Sequence, residues 1–106
     1  MSYNETNFYG LTTGAFGHDC YTAPAATKTQ VVSLLVNNPT SNLIYVTVKV
    51  NVARTGTIVQ IATNVILTTS SAMEILARPL ILEAGDSIEI DSGSTVSYFG
   101  SVIEKS

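Results

Sequence analysis

The chain is poor in charge: Asp, Glu, Lys and Arg together make up 12% of its 106 residues, whereas soluble domains usually carry about 25%. Its net charge is −3, and its five basic residues are scattered, at Lys28, Lys49, Arg54, Arg78 and Lys105. Nucleic-acid binding needs clustered Lys and Arg, so we expect no nucleic-acid partner. A surface of Ser, Thr, Asn and Gly is easily buried against another protein. Thr also simply suits strands, and both interpretations stay open.

Cysteine is almost absent, because Cys20 is the only one, and this excludes an intrachain disulfide. A domain of this length folds without such a crosslink, since it buries roughly two thirds of its unfolded surface. The N-terminus lacks the basic and apolar regions of a signal peptide. No segment approaches the roughly 20 apolar residues of a membrane helix. We therefore expect a soluble protein that is made in a reducing cytoplasm and has no membrane partner.

Catalytic signatures are also missing. His18, the only histidine, stands next to Asp19 and Cys20, but adjacent strand residues point to opposite faces and a catalytic triad is assembled in space. We predict no catalytic residue and no enzymatic activity. Cys20 is expected to be a small buried apolar residue.

Metal ligands and sugar-stacking residues are weakly indicated. Four carboxylates crowd one region, at Glu83, Asp86, Glu89 and Asp91. Their spacing matches no EF-hand loop, so we favour a solvated face with a turn Asp over a Ca²⁺ site, and we predict no metal and no other cofactor. There is no Trp, and Tyr45 and Tyr98 are expected to pack within the domain, so a carbohydrate-binding module is a less favoured alternative.

The clearest positive feature is residues 42–53, NLIYVTVKVNVA. Apolar Ile and Val alternate there with Tyr, Thr, Lys and Asn, which predicts a long strand with one buried face. Shorter strands are predicted at residues 18–22, 29–37, 57–63, 72–77, 80–83, 87–91 and 95–104, separated by turns. The segments 29–37, 42–53 and 57–63 are predicted to pair as a meander. Gly100 marks a bulge or a close approach.

This spacing predicts an all-β domain of seven or eight antiparallel strands. A β-sandwich with jelly-roll or immunoglobulin-like connections is favoured, with a closed barrel as the alternative.

Residues 1–15 show no strand or helix period and are predicted to form an irregular N-terminal arm before a sandwich domain at 16–106. Its aromatic residues would either bind another subunit or pack on the arm's own domain. The predicted partner contacts in and beside the arm are Tyr3, Phe8, Tyr9 and Phe16. If the arm binds a partner, deletion of residues 1–15 should leave a folded domain that no longer assembles.

Two stretches carry a family resemblance. YTAPAATKTQVVSLLVNN at residues 21–38, and RPLILEAGDSIEI followed by a final SVIE at residues 78–104, resemble small β-sandwich virion proteins of tailed bacteriophages. The resemblance covers most of residues 21–104 and leaves 1–20 outside. Its central motif, L-x-x-G-D at Leu82 to Asp86, is a turn in which Gly takes the required conformation and Asp bonds the local backbone.

The resemblance implies a structural protein located in the virion after synthesis in the host cytoplasm. It implies a capsid decoration, or cement, subunit that bridges major capsid proteins as a homotrimer. A tail, neck or fibre-adaptor component is the alternative within the same class.

Overall fold

The computed structural model describes residues 3–12 and 17–106, which form an all-β domain. No membrane-spanning helix is found among these residues. The strands, in chain order, are β1 (Tyr3–Leu11), β2 (His18–Thr22), β3 (Lys28–Asn37), β4 (Ile44–Val52), β5 (Thr57–Leu67), β6 (Ala72–Glu74), β7 (Leu80–Leu82), β8 (Ser87–Ser92) and β9 (Ser97–Lys105).

The strands form two antiparallel sheets packed as a sandwich. The first sheet has the order β1-β9-β3, and both β6 and β7 pair with the far side of β3; the second has the order β2-β8-β4-β5. Pairs therefore nest from the ends of the chain inward: β1 with β9, β2 with β8, β3 with β6 and β7, and β4 with β5. This nesting is a jelly roll, so the sandwich prediction is confirmed and the closed barrel is wrong.

Strand β4 supplies the centre of the core, as its alternation predicted. Ile44, Val46, Val48 and Val50 are buried, and they face the fully buried Val31, Leu34 and Val36 of β3 across the sandwich. β-branched side chains dominate because they fit a pleated surface with little loss of rotamer freedom.

The predicted meander is wrong at its first connection, because β3 and β4 lie in different sheets, and right at its second, because β4 pairs antiparallel with β5. The chain crosses between the sheets at Asn38, whose side chain is fully buried. Its amide nitrogen donates to the carbonyl oxygens of Asn42 at 2.7 Å and of Leu67 and Thr68 at 3.1 Å each, and its amide oxygen accepts the Thr40 N–H at 2.9 Å. One side chain thus provides hydrogen-bond partners for backbone groups of two connecting segments. The chain changes sheets at this point, where a hairpin was expected.

The predicted irregular arm is also wrong for the part that the structure describes. Tyr3–Leu11 forms β1 and pairs with β9 over nine residues without a register shift. The strand period was hidden because the positions on the same face as the buried Phe8 hold Asn4 and Thr6, which are exposed, and Gly10. Deleting residues 1–15 would therefore remove an edge strand and a core ring, so the proposed truncation does not test a detachable arm.

Two glycine–aromatic pairs lock β1 onto β9. Phe8 lies directly opposite Gly100, and Gly10 lies directly opposite Tyr98. A Cβ on Gly100 would overlap the Phe8 ring, and a Cβ on Gly10 would come within 2.8 Å of the Tyr98 hydroxyl oxygen. Each ring covers the backbone of the glycine opposite it, which confirms Gly100 as a point of close approach and fixes the register.

This packing predicts the cost of adding one methyl group. We expect Gly100→Ala to lower the free energy of unfolding by about 2 kcal/mol, because Phe8 must leave its site. Gly93→Ala is the matched control, since a Cβ there meets nothing within 4 Å. Urea unfolding monitored by circular dichroism measures both variants, and equal stability of the two would contradict the packing.

Candidate interaction surface

The outward face of the first sheet exposes a cluster of apolar side chains at one end. Tyr9, Phe99 and Leu35 stand side by side on β1, β9 and β3, because the register pairs Tyr9 with Phe99 and Phe99 with Leu35. With Leu11, they form what we call the aromatic patch; the exposed fractions are 72% for Tyr9, 61% for Leu11, 43% for Leu35 and 47% for Phe99. A shallow depression of about 380 Å³ lies among them.

The aromatic patch has the chemistry of a protein-binding surface. The Tyr9 and Phe99 rings stack with their planes 14° apart and their centroids 6.0 Å apart. Asn37 and Ser97 also line the depression, and the Asn37 amide nitrogen donates to the Ser97 hydroxyl at 3.3 Å. None of the described side chains that line it is charged. Contiguous exposed apolar surface that is rimmed by polar groups is typical of an interaction site.

The other end of the same face is different. Tyr3 is exposed there, and the Lys105 ammonium nitrogen lies 5.8 Å from the centre of its ring. Lys28 and Ile81 line a second depression beside Tyr3. Lysine side chains line this end of the face, whereas the described side chains that line the depression at the aromatic patch are uncharged.

The structure places the four predicted contact residues in different environments. Tyr3 and Tyr9 project outward and remain predicted partner contacts, whereas Phe8 packs in the core of its own domain, as the alternative interpretation had it. Phe16 lies outside the described residues. Sequence reasoning missed Leu35 and Phe99 as patch residues. The adjacent aromatics Tyr98-Phe99 in a predicted strand were the available signal, because neighbours in a strand occupy opposite faces.

His18, Asp19 and Cys20 do not assemble a catalytic triad. Asp19 is exposed, while the His18 Nε2 lies 3.1 Å from the Tyr98 hydroxyl oxygen. Burial raises the pKa of the Cys20 thiol to about 12, and the nearby negative charges of Asp19 and Glu89 act in the same direction. A thiol with such a pKa stays protonated at neutral pH and is a poor nucleophile.

Two of the four crowded carboxylates, Asp86 and Asp91, have structural partners. Asp86 is buried, and its two carboxylate oxygens accept the backbone N–H groups of Ala53 and Glu83 at 2.9 Å each. Asp91 pairs with Lys49 at 2.9 Å. Within the described part of the chain, no three His, Cys, Asp or Glu side chains are grouped to hold a metal ion. The turn role predicted for Asp86 is confirmed, with Gly85 beside it at a φ of 86°.

The outward face of β4 is only partly open. Tyr45 is 57% exposed, but Thr47, Lys49 and Asn51 are half-buried. The hydrogen bond to Asp91 raises the pKa of Lys49 although burial opposes it. Burial alone would raise the pKa of Asp91, but the hydrogen bonds that its carboxylate accepts from Lys49 and the Gly17 N–H have the larger effect. The net result is a lowered pKa. The single charge on this face is therefore neutralised within the domain.

A polar cluster ties the second sheet to the first near the chain's C-terminus. The Tyr21 hydroxyl on β2 donates to a Glu104 carboxylate oxygen on β9 at 2.5 Å and lies 3.1 Å from the Thr29 hydroxyl. Burial, reinforced by Glu104, raises the pKa of Tyr21 from 10.0 to about 12. The folded protein therefore holds this proton more tightly than the unfolded chain does.

The raised pKa predicts loss of stability in alkali. The Tyr21 contribution to the free energy of unfolding is fully present below pH 10 and is lost between about pH 10 and 12, because the unfolded chain ionises first. We expect Tyr21→Phe to unfold more easily at pH 7, by about 1 kcal/mol, and to lose stability less steeply above pH 10.

The raised pKa of Cys20 adds to the loss of stability in alkali, so the measurements are made in a Cys20→Ala background. Urea titrations from pH 7 to 12 give the slopes; a slope unchanged by Tyr21→Phe, with exposed Tyr45→Phe as control, would contradict the assignment.

Comparison with known proteins returned no match. No family model matches the chain, and neither a curated protein nor a solved structure matches it. Its role is therefore inferred from its fold, its exposed surface and the sequence features described above.

Proposed function

We propose that this chain is a non-enzymatic structural subunit of a tailed-phage virion, and specifically a capsid decoration subunit that stabilises the head by bridging major capsid proteins. The observation that carries the proposal is the aromatic patch. It lies on a sheet of a tightly packed sandwich and is held there by strand register, so it is presented in one orientation to a neighbour.

The aromatic patch supplies favourable free energy for binding a neighbouring subunit. Its four side chains are between 43% and 72% exposed, and burying that exposed surface contributes on the order of 4 kcal/mol before the costs of association. Tyr and Phe are also common at the centres of interfaces, where large rigid rings lose little entropy. A protein with a charge-poor surface and such a patch is suited to burying that surface against a neighbouring subunit.

The fold and the sequence support the phage setting by analogy. Jelly rolls occur in viral capsid proteins, although they also occur in lectins and cupins, so the fold alone assigns no role. The resemblance of residues 21–38 and 78–104 to small virion proteins adds the phage context. It supports a tail, neck or fibre-adaptor position by the same reasoning, and the experiment below separates these positions.

A carbohydrate-binding role is less well supported. Tyr98 is 8% exposed and packs against Phe8 and His18, so one of the two candidate stacking residues faces the core. Tyr45 remains accessible. The depression at the aromatic patch offers mainly apolar surface, with Asn37 bonded to Ser97, whereas a sugar requires several free hydrogen-bonding groups.

The test is binding to phage particles. Heads and tails of the phage that encodes this chain are purified without it, and the purified protein is added back and sedimented with each. We expect the wild-type protein to bind heads and the double variant Tyr9→Ser/Phe99→Ser to bind at least tenfold more weakly, because two rings leave the interface. Tyr45→Ser on the second sheet is the matched control and should bind as the wild type does.

Each outcome is informative once circular dichroism shows that all variants are folded. Binding to tails alone would replace decoration with the tail alternative. Undiminished binding of Tyr9→Ser/Phe99→Ser would remove the aromatic patch from the interface. Failure to bind either particle, with binding to a glycan array that is lost in Tyr45→Ser, would replace the structural role with carbohydrate binding.

A further inference from the structure

The free edges of the two sheets are unequally protected against pairing with another strand. β2 is five residues long, carries Asp19 and has a register shift. β5 has two register shifts against β4. The edge formed by β6 and β7 is broken into two three-residue strands with Arg78-Pro79 between them. Short strands, charges, bulges and proline are the usual devices that prevent edge-to-edge association.

β1 lacks most of these devices. It is nine residues long, pairs with β9 without a register shift, contains no proline and carries one charge, Glu5. Among the residues that the structure describes, no strand pairs with its other side. An extended regular edge of this kind presents unpaired backbone N–H and C=O groups as a template for an added strand.

We propose that this edge binds β1 of a second copy of the chain, antiparallel and about a two-fold axis that passes beside Asn7. The two first sheets then form one continuous sheet across the dimer. The dimer takes the place of the homotrimer that the sequence resemblance implies, and the inference is otherwise independent of the proposed function, since the dimer forms in solution with or without a virion.

The register follows from side-chain direction and charge. Strands in one sheet must match outward residues with outward residues, so the axis has to pass at a residue and not between two. At Asn7 all nine residues overlap, Tyr3 lies opposite Leu11, and Glu5 lies opposite Tyr9. An axis at Glu5 would shorten the overlap and place two carboxylates side by side, which is unfavourable.

A second copy suits this edge because the self-pairing brings together no like charges and joins exposed apolar side chains. Tyr3 and Leu11 are 64% and 61% exposed in the single chain, and each would gain the other as a cross-strand neighbour. The pairing also places both aromatic patches on the same side of the joined sheet. A two-fold interface of this kind is self-complementary and closed, so it does not propagate into fibres.

The test is a crosslink at the axis. In a Cys20→Ala background, Asn7→Cys places two thiols opposite each other across the axis, within disulfide range for directly paired strand residues. Leu11→Cys is the matched control on the same outward face of β1, because its partner in the other copy is Tyr3. The proteins are oxidised mildly at low concentration and run on a non-reducing gel, and light scattering gives the mass of the Cys20→Ala protein.

We expect a mass twice the 11.2 kDa of one chain and a covalent dimer from Asn7→Cys that exceeds that from Leu11→Cys at least fivefold. A monomer, a trimer, or equal crosslinking of the two variants would overturn the proposal. Asn7→Lys, which sets two like charges opposite each other, should convert the dimer to monomer, while Gln60→Lys on β5 should not. A dimer that survives Asn7→Lys would also overturn it.

Discussion

The packing of two aromatic rings onto the glycines opposite them determines how the N-terminal segment pairs with the rest of the sandwich. Phe8-Tyr9-Gly10 runs antiparallel to Tyr98-Phe99-Gly100, so each inward ring covers a glycine and the two outward rings stack. A shift of one residue would turn Phe8 out to solvent and bring Tyr9 inward. The same contact thus closes the core, fixes the register of β1 and sets the position of the aromatic patch.

The rest of the sandwich holds that arrangement still. Where the chain crosses between the sheets, the Asn38 amide donates hydrogen bonds to backbone carbonyl oxygens. Where the β4–β5 turn meets the β7–β8 turn, the Asp86 carboxylate accepts hydrogen bonds from backbone N–H groups. Tyr21 and Glu104 join the two sheets near the C-terminal end of β9, whereas the aromatic patch lies near its N-terminal end. Buried polar groups of this kind specify one arrangement of the connections, because any alternative would leave them without partners. A rigid support reduces the entropy lost when the aromatic patch binds a neighbour.

Sequence reasoning found what is encoded locally. β4 was predicted because its inward positions are all apolar, and β2 was predicted with its bounds because Pro24 and the turns around it end the strand. β1 was missed because the positions on the same face as Phe8 hold Asn4, Thr6 and Gly10, whose fit depends on the strand beside it. The corner at Asn38 was read as a hairpin because its amide bonds the distant Leu67 and Thr68. Tyr9 was a predicted contact, but Leu35 and Phe99 join it only through the register of three strands.

The central claim is that β1 is an integral strand of the fold, held by its aromatic–glycine pairs with β9. Residue-resolved amide hydrogen exchange tests it most directly. Alternate amides of Tyr3–Leu11, those directed at β9, should exchange as slowly as the amides of β3 and β4. If every amide of this segment exchanges at the rate of an unstructured chain while β3 and β4 stay protected, β1 is not part of the folded sandwich and the account fails.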